Sequence, residues 1–337
     1  MDIRRLGPQD LAGKIIDIHS HAGVSLKPYM RTEFPYCQSV EDLYYRQIAG
    51  GVDVNVVFPF SEDLYFDPEQ VKEGYAVPAR APISDVPFGL ENKMLFTEVY
   101  SFCREHWQRF LPFVCIDPER DVEGQLRTLT DLDAQYPLYG LKAVPVSSQA
   151  RLDGLLGPCE AIMDFAVARD LPFLFHVTTY PGDQWSQVSY AFRIAERYPD
   201  SRICLAHCIG FDRASLERAD AMENIWVDTA ALKIQVDLAH ERNAVMPADE
   251  ALFEADYSSH VKVMNALMEQ FPNTIIWGTD SPAYSYICGR RESTGKFQEF
   301  RLKGFYEQEV EALDGLCPDL REKAGTTNSL AFLFGRP

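Results

Sequence analysis

Eight short apolar runs recur along the chain, at residues 15–19, 52–58, 110–116, 139–146, 172–177, 203–207, 225–228 and 274–278. Each is β-branched or aromatic in character and bounded by Gly, Pro or Asp, and none alternates cleanly with polar residues. That pattern predicts strands buried on both faces. Between the runs, apolar positions recur at helical spacing over residues 40–49, 123–136, 158–169, 187–197 and 261–270, as in Leu126, Leu129 and Leu132. Strands alternating with helices predict a parallel sheet covered by helices. Eight such units predict an α/β chain folded as a (β/α)₈ TIM barrel with its site at the C-terminal ends of the strands. An open doubly wound sheet is the competing fold, but no glycine-rich phosphate fingerprint follows the first run.

Three connections, 61–93, 231–259 and 281–297, are longer than a barrel needs. They are read as long βα-loop insertions crowding its mouth. No repeat, low-complexity tract or composition break divides the 337 residues, so one domain over 1–337 is expected. Hydrophobic residues make up 46% of the chain, enough for a large core. The net charge of −18 argues against nucleic acid, because phosphate binding needs a basic footprint, and against an anionic membrane surface. The eight cysteines form no CxxC pair and several sit in apolar runs, as buried reduced thiols of a cytoplasmic protein do. The N-terminus leads into no apolar signal region. A small-molecule substrate and a homodimer are the expected partners.

The chemistry gathers where strands end. In Ile15-Ile16-Asp17-Ile18-His19-Ser20-His21, a period of two puts Asp17, His19 and His21 on one face, so both imidazoles can reach one ion. Alone, the pair reads equally well as surface or core histidines. His176 ends the fifth run, His207 the sixth, and Asp280 follows the eighth. Any one strand-end histidine is credible as a hydrogen-bonded core residue; four of them plus an acid, converged by a barrel, are hard to credit to packing. Nitrogen and carboxylate donors around an open position suit Zn²⁺ first, with Mn²⁺ or Fe²⁺ also compatible. A bound divalent cation lowers the pKa of its water from roughly 15.7 to about 7. His106, His240 and His260 fall in helical patterns and are read as structural.

This arrangement resembles the amidohydrolase superfamily: His-x-His after the first strand, one histidine each after the fifth and sixth, and aspartate after the eighth. Within it the chain is most similar to the amidohydrolase 2 branch, which includes aminocarboxymuconate-semialdehyde decarboxylase-like enzymes. Gly140-Leu141-Lys142-Ala143-Val144-Pro145 resembles that branch's Gly-x-Lys-x-His-Pro motif, with Val144 in place of its histidine. Leu205-Ala206-His207-Cys208-Ile209-Gly210 resembles its Ala-His-x-Gly motif, with one residue more. The stretch from Thr327 to Phe334 resembles its closing helix, so the likeness spans residues 15–334.

The resemblance implies one divalent ion held by His19, His21, His176 and Asp280, with Asp280 and His207 as catalytic residues. It also implies metal-dependent hydrolysis of an amide, lactone or ester; non-oxidative decarboxylation of an unsaturated or aromatic acid is the alternative. In binuclear members of the superfamily a carboxylated lysine bridges two ions, which makes a two-ion site around Lys142 the alternative to the single ion. Lys27, Arg31, Lys142, Arg290 and Arg291, with Tyr29, Tyr36 and Trp185, are expected around the mouth. Of these, Lys142, Arg31 and Arg290 are the candidates to bind a substrate carboxylate; the bland alternative for Arg290 and Arg291 is solvated loop charge. Asp228 is expected to orient a neighbour. A retired barrel acting as a binding protein would show a broken ligand set, and all five positions are intact.

Overall fold

The structure, a computed structural model, describes residues 3–24, 37–60, 69, 88–282 and 304–336, and the backbone of 288–290 and 297–299. Eight parallel strands follow one another around a curled sheet: β1 (Ile16–Val24), β3 (Val54–Pro59), β4 (Phe110–Ile116), β5 (Gly140–Ala143), β6 (Phe173–Phe175), β7 (Ile203–Leu205), β8 (Ile225–Asp228) and β9 (Ile275–Ile276). A short β2 (Cys37–Gln38) adds an antiparallel edge to β1 through Gly23 and Val24. Main-chain bonds join the two ends of this series. Ile18 donates to Trp277 at 3.2 Å, Asp280 donates to His19 at 2.7 Å, and His21 donates to Ser281 at 2.7 Å. The eight predicted runs are thus the eight strands of the barrel.

Burial explains why these sequences become strands without polar alternation. β3, β4, β5, β6, β7 and β8 are buried at every residue, filling the barrel with one face and meeting the helices with the other. The covering helices bury a single stripe. Val188–Arg197 buries Val188, Ala191, Phe192, Ile194 and Ala195, and each large side chain so buried is worth roughly 1.5–3 kcal/mol. The helix Val40–Gly50 starts at a Ser39–Asp42 capping box and stops at Gly51, whose φ of 66° is the left-handed conformation that closes helices.

Three boundaries differ from the sequence pattern. β1 runs five residues beyond His19, with its register shifted between Asp17 and Ser20, so the histidine pair lies inside the strand. β5 stops at Ala143 because Pro145 opens a short helical turn, Pro145–Ser148. The 281–297 connection opens a two-stranded hairpin that runs past it, β10 (Cys288–Arg290) with β11 (Phe297–Glu299). Arg290 lies in β10, but its side chain is outside the described residues, as are Lys27, Arg31, Tyr29, Tyr36, Arg291 and nearly all of 61–87. Among the described residues, no helix is long and apolar enough to cross a membrane.

Candidate metal centre

His19, on β1, is fixed from behind. Its Nδ1 lies 2.8 Å from Asp228 Oδ2 at the end of β8; a carboxylate accepts only, so Nδ1 carries a proton and Nε2 is the nitrogen turned inward. That nitrogen lies 3.2 Å from Asp280 Oδ1. The same oxygen lies 3.2 Å from His21 Nε2. The two imidazoles stand with ring centroids 5.5 Å apart, and the ring of Phe60 stacks on that of His21. His21 Nδ1 is buried without a hydrogen-bond partner among the described residues.

His207 and His176 form the facing pair. His207 Nδ1 donates to the carbonyl of Ala230 at 2.9 Å, leaving Nε2 to accept from His176 Nδ1 at 3.1 Å. With both tautomers fixed in this way, His176 Nε2 keeps its lone pair. The backbone under His207 is unusual: His207, Cys208, Ile209, Gly210 and Phe211 all have φ between 52° and 61°. A left-handed turn opposes the preference of four L side chains by roughly 1–2 kcal/mol each. It is held by the His207 amide on Asp228 Oδ1 at 2.9 Å, by Phe253 donating to the Phe211 carbonyl at 2.8 Å, and by burial of Cys208, Ile209 and Phe211.

Electrostatics follow from this packing. Burial lowers His21 to about 4 and takes His176 well below, and His207 below, the usual histidine value, so all three are neutral at pH 7. His19 goes the other way: burial and Lys142 oppose its charge, but Asp228 and Asp280 outweigh them and its pKa rises. Asp280 is held well below the carboxylate range, because His19 and His21 overcome its burial. Lys142 is 1% exposed, its ammonium 3.5 Å from His19 Nε2 and 4.7 Å above the Phe58 ring. Burial brings it down to about 8.

His19, His207 and Asp280 each offer a ligand atom within 4.8 Å of one another, the group best placed among the described residues to hold an ion. His21 contacts this group through Asp280, and His176 through His207. The donor set fits a divalent cation: an imidazole nitrogen held in place and a carboxylate oxygen facing it are ligands that a cation between them would take up, displacing any proton on Nε2. All five sequence-derived residues therefore lie in one connected cluster, with Lys142 beside it. Arg31 and the Arg290 side chain lie outside the described residues. The sequence reading missed Thr279 and Gln38, which bond to Asp17 and His21, and it gave Asp17 no partner; the available signal was a carboxylate inside an apolar run. A cavity of about 1340 Å³ opens beside the cluster, lined by Ala22, Phe60, Tyr44 and Met94, and contains none of the five.

The family description "Amidohydrolase" matches residues 16–335. No curated protein matches the chain. Among solved structures, an uncharacterized TIM-barrel protein from Bordetella bronchiseptica is similar at 11% identity and TM-score 0.55, over 95% of this chain and 98% of its own. A dihydroorotase from Campylobacter jejuni is similar at 11% identity and TM-score 0.52, over 94% of this chain and 82% of its own. A β-aspartyl dipeptidase from Fervidobacterium islandicum, solved with a β-Asp-Leu dipeptide, is similar at 14% identity and TM-score 0.55, over 96% and 74%. At these identities the likeness is one of fold.

Proposed function

Because this chain belongs to the amidohydrolase family, we propose that it is a metal-dependent hydrolase cleaving an amide, lactone or ester bond of a small carboxylate-bearing molecule. The observation that carries the reading is the convergence of His19 Nε2 and His21 Nε2 on Asp280 Oδ1, each at 3.2 Å. His19, His21, His176 and Asp280 are the residues that would hold one divalent ion, Zn²⁺ first, with Mn²⁺ or Fe²⁺ compatible. A divalent ion supplies polarisation of the scissile carbonyl and water that ionises near neutral pH.

The chain's own residues supply the rest. Asp280, ionised in the resting protein, orients the attacking water and takes its proton on a carboxylate oxygen as the bond to carbon forms. His207 accepts and returns a proton at Nε2 once the His176 Nδ1–H bond to that nitrogen opens, while its Nδ1–H stays on Ala230 and prevents the ring from turning. Asp228 keeps the proton of His19 on Nδ1 throughout. Lys142 contributes positive charge in a water-poor setting, where Asp228 and Asp280 act on it from a distance and, among the described residues, no carboxylate lies within ion-pair distance; a substrate carboxylate would pair with it directly.

The test is a panel of β-aspartyl dipeptides, N-acyl amino acids and lactones, assayed with Zn²⁺-loaded and chelator-stripped protein. Turnover by the loaded form alone, abolished in Asp280→Asn with the fold retained, is the expected outcome. Equal turnover by stripped protein contradicts the reading. Release of CO₂ from unsaturated or aromatic acids, with no hydrolysis across the panel, would assign the site to decarboxylation instead.

A further inference from the structure

The ligands proposed for the ion come from both sides of the barrel's closing junction: His19 and His21 from β1, Asp280 from the chain leaving β9. A regular strand pair would fix their relative position by a continuous ladder. Here β9 is two residues long, and beyond it the two main chains meet through single bonds, Ile18 to Trp277, Asp280 to His19 and His21 to Ser281. The amide of Asp280 on the His19 carbonyl is thus one short link, and side chains add to it.

Asp17 makes the main addition. The side chain is fully buried and, among the described residues, meets four donors and no acceptor. Its Oδ1 accepts the amide of His19 at 3.0 Å and the amide of Thr279 at 2.9 Å. Its Oδ2 accepts the Thr279 hydroxyl at 2.7 Å and Asn55 Nδ2, from β3, at 2.9 Å. One carboxylate thus ties the backbone of a ligand on β1 to the backbone of the residue preceding a ligand on the opposite side. Thr279 extends the tie, its hydroxyl oxygen accepting the Ser281 amide at 3.1 Å. A second link lies further along: Gln38 donates to the His21 carbonyl at 2.7 Å and accepts the Ser281 hydroxyl at 2.9 Å. We propose that Asp17 and Thr279 form a latch across the barrel junction, positioning His19 and Asp280 to share one ion. Neither latch residue touches the ion or the substrate; both are positioning residues. The proposal rests on the metal-site reading for its binding consequence and on the hydrogen bonds alone for its structural one.

Three variants separate the possibilities. Thr279→Val keeps shape and removes the hydroxyl; Thr279→Ser keeps the hydroxyl; Asp17→Asn keeps the volume but turns one acceptor into a donor facing donors. Two readouts are used: Zn²⁺ affinity by competition with a chromophoric chelator, and hydrogen exchange of the Asp280 and His21 amides in metal-free protein. The expected result is binding weakened by about 10–100-fold, the loss typical when a group that orients a ligand is removed, in Thr279→Val and Asp17→Asn. Both should show faster exchange at the junction with unchanged exchange at His176, whose amide bonds Ala143 on the far side. Thr279→Ser should restore both readouts to within threefold. Wild-type binding and protection in Thr279→Val would overturn the latch, and so would a Thr279→Ser variant as impaired as Thr279→Val, since a retained hydroxyl would then fail to hold the junction. Should Thr279→Val not fold, Asp17→Asn and Thr279→Ser give the same contrast. A wild-type chain that binds no Zn²⁺ would defeat the metal reading, while the exchange contrast would still uphold or overturn the latch.

Discussion

Asp228 Oδ2 stands 2.8 Å from Nδ1 of His19, both groups fully buried. Its other oxygen accepts the His207 and Ala230 amides at 2.9 and 3.0 Å. Burial opposes its charge, but His19 and His207 outweigh that and hold it at about 2. One carboxylate thus sets the tautomer of a proposed ligand and the backbone of a proposed proton carrier. Asp228→Asn puts an amide that can donate where His19 needs an acceptor. The expected outcome is Zn²⁺ affinity lower by about 10–100-fold with the fold retained, read by chelator competition. Wild-type affinity would show that the tautomer is set elsewhere.

Gly278, just beyond β9, packs against β1. A Cβ there would sit 3.0 Å from His19 Cβ and 3.3 Å from the His19 nitrogen. Gly278→Ala must push the His19 backbone outward, an overpacking that destabilises by about 1–3 kcal/mol. A fall in melting temperature together with weaker Zn²⁺ binding is expected; an unchanged melt would mean that the junction yields freely.

Two histidines divide the ligand and proton roles. His176→Gln should lose the ion, whereas His207→Gln should keep it and lose turnover by about 10²–10⁴. Metal content and rate measured on the same preparations check this. The reverse pattern would place His207, which already lies with His19 and Asp280 inside 4.8 Å, among the ligands.

Glu309 gives the fold a pH dependence of its own. Its carboxylate accepts the Leu232 and Lys233 amides at 3.0 Å, yet full burial pushes its pKa well above the carboxylate range. The folded chain then keeps a proton that the unfolded chain releases near pH 4.3. Stability from this group is present below that value and is lost as pH rises through the folded one. Glu309→Gln mimics the protonated form, so its melting temperature should fall less than the wild type's between pH 5 and 8. Parallel falls would contradict the burial argument.

The fold was legible because its strands are buried on both faces and leave an unbroken apolar signal, as at Phe110–Ile116 and Ile225–Asp228, whose bounds match the sequence pattern. His176 and His207 were legible as strand-end polar residues, and Asp228 as an orienting acid. The bulge in β1 was not: Asp17, His19 and His21 obey a period of two in sequence, while the register shifts among them. Nor was the left-handed turn, since Cys208, Ile209 and Phe211 have no preference for it and tertiary bonds impose it. Lys142 was expected at the mouth and is instead buried against His19. Its position depends on the barrel closing, which no local pattern encodes.

The central claim is a single divalent ion shared by β1, β6 and the chain after β9. Elemental analysis of purified, Zn²⁺-equilibrated protein tests it most directly. The account predicts about one equivalent in the wild type, about one in Lys142→Ala, and essentially none in Asp280→Ala. About two equivalents in the wild type with one lost in Lys142→Ala, or an ion that survives Asp280→Ala, would contradict it.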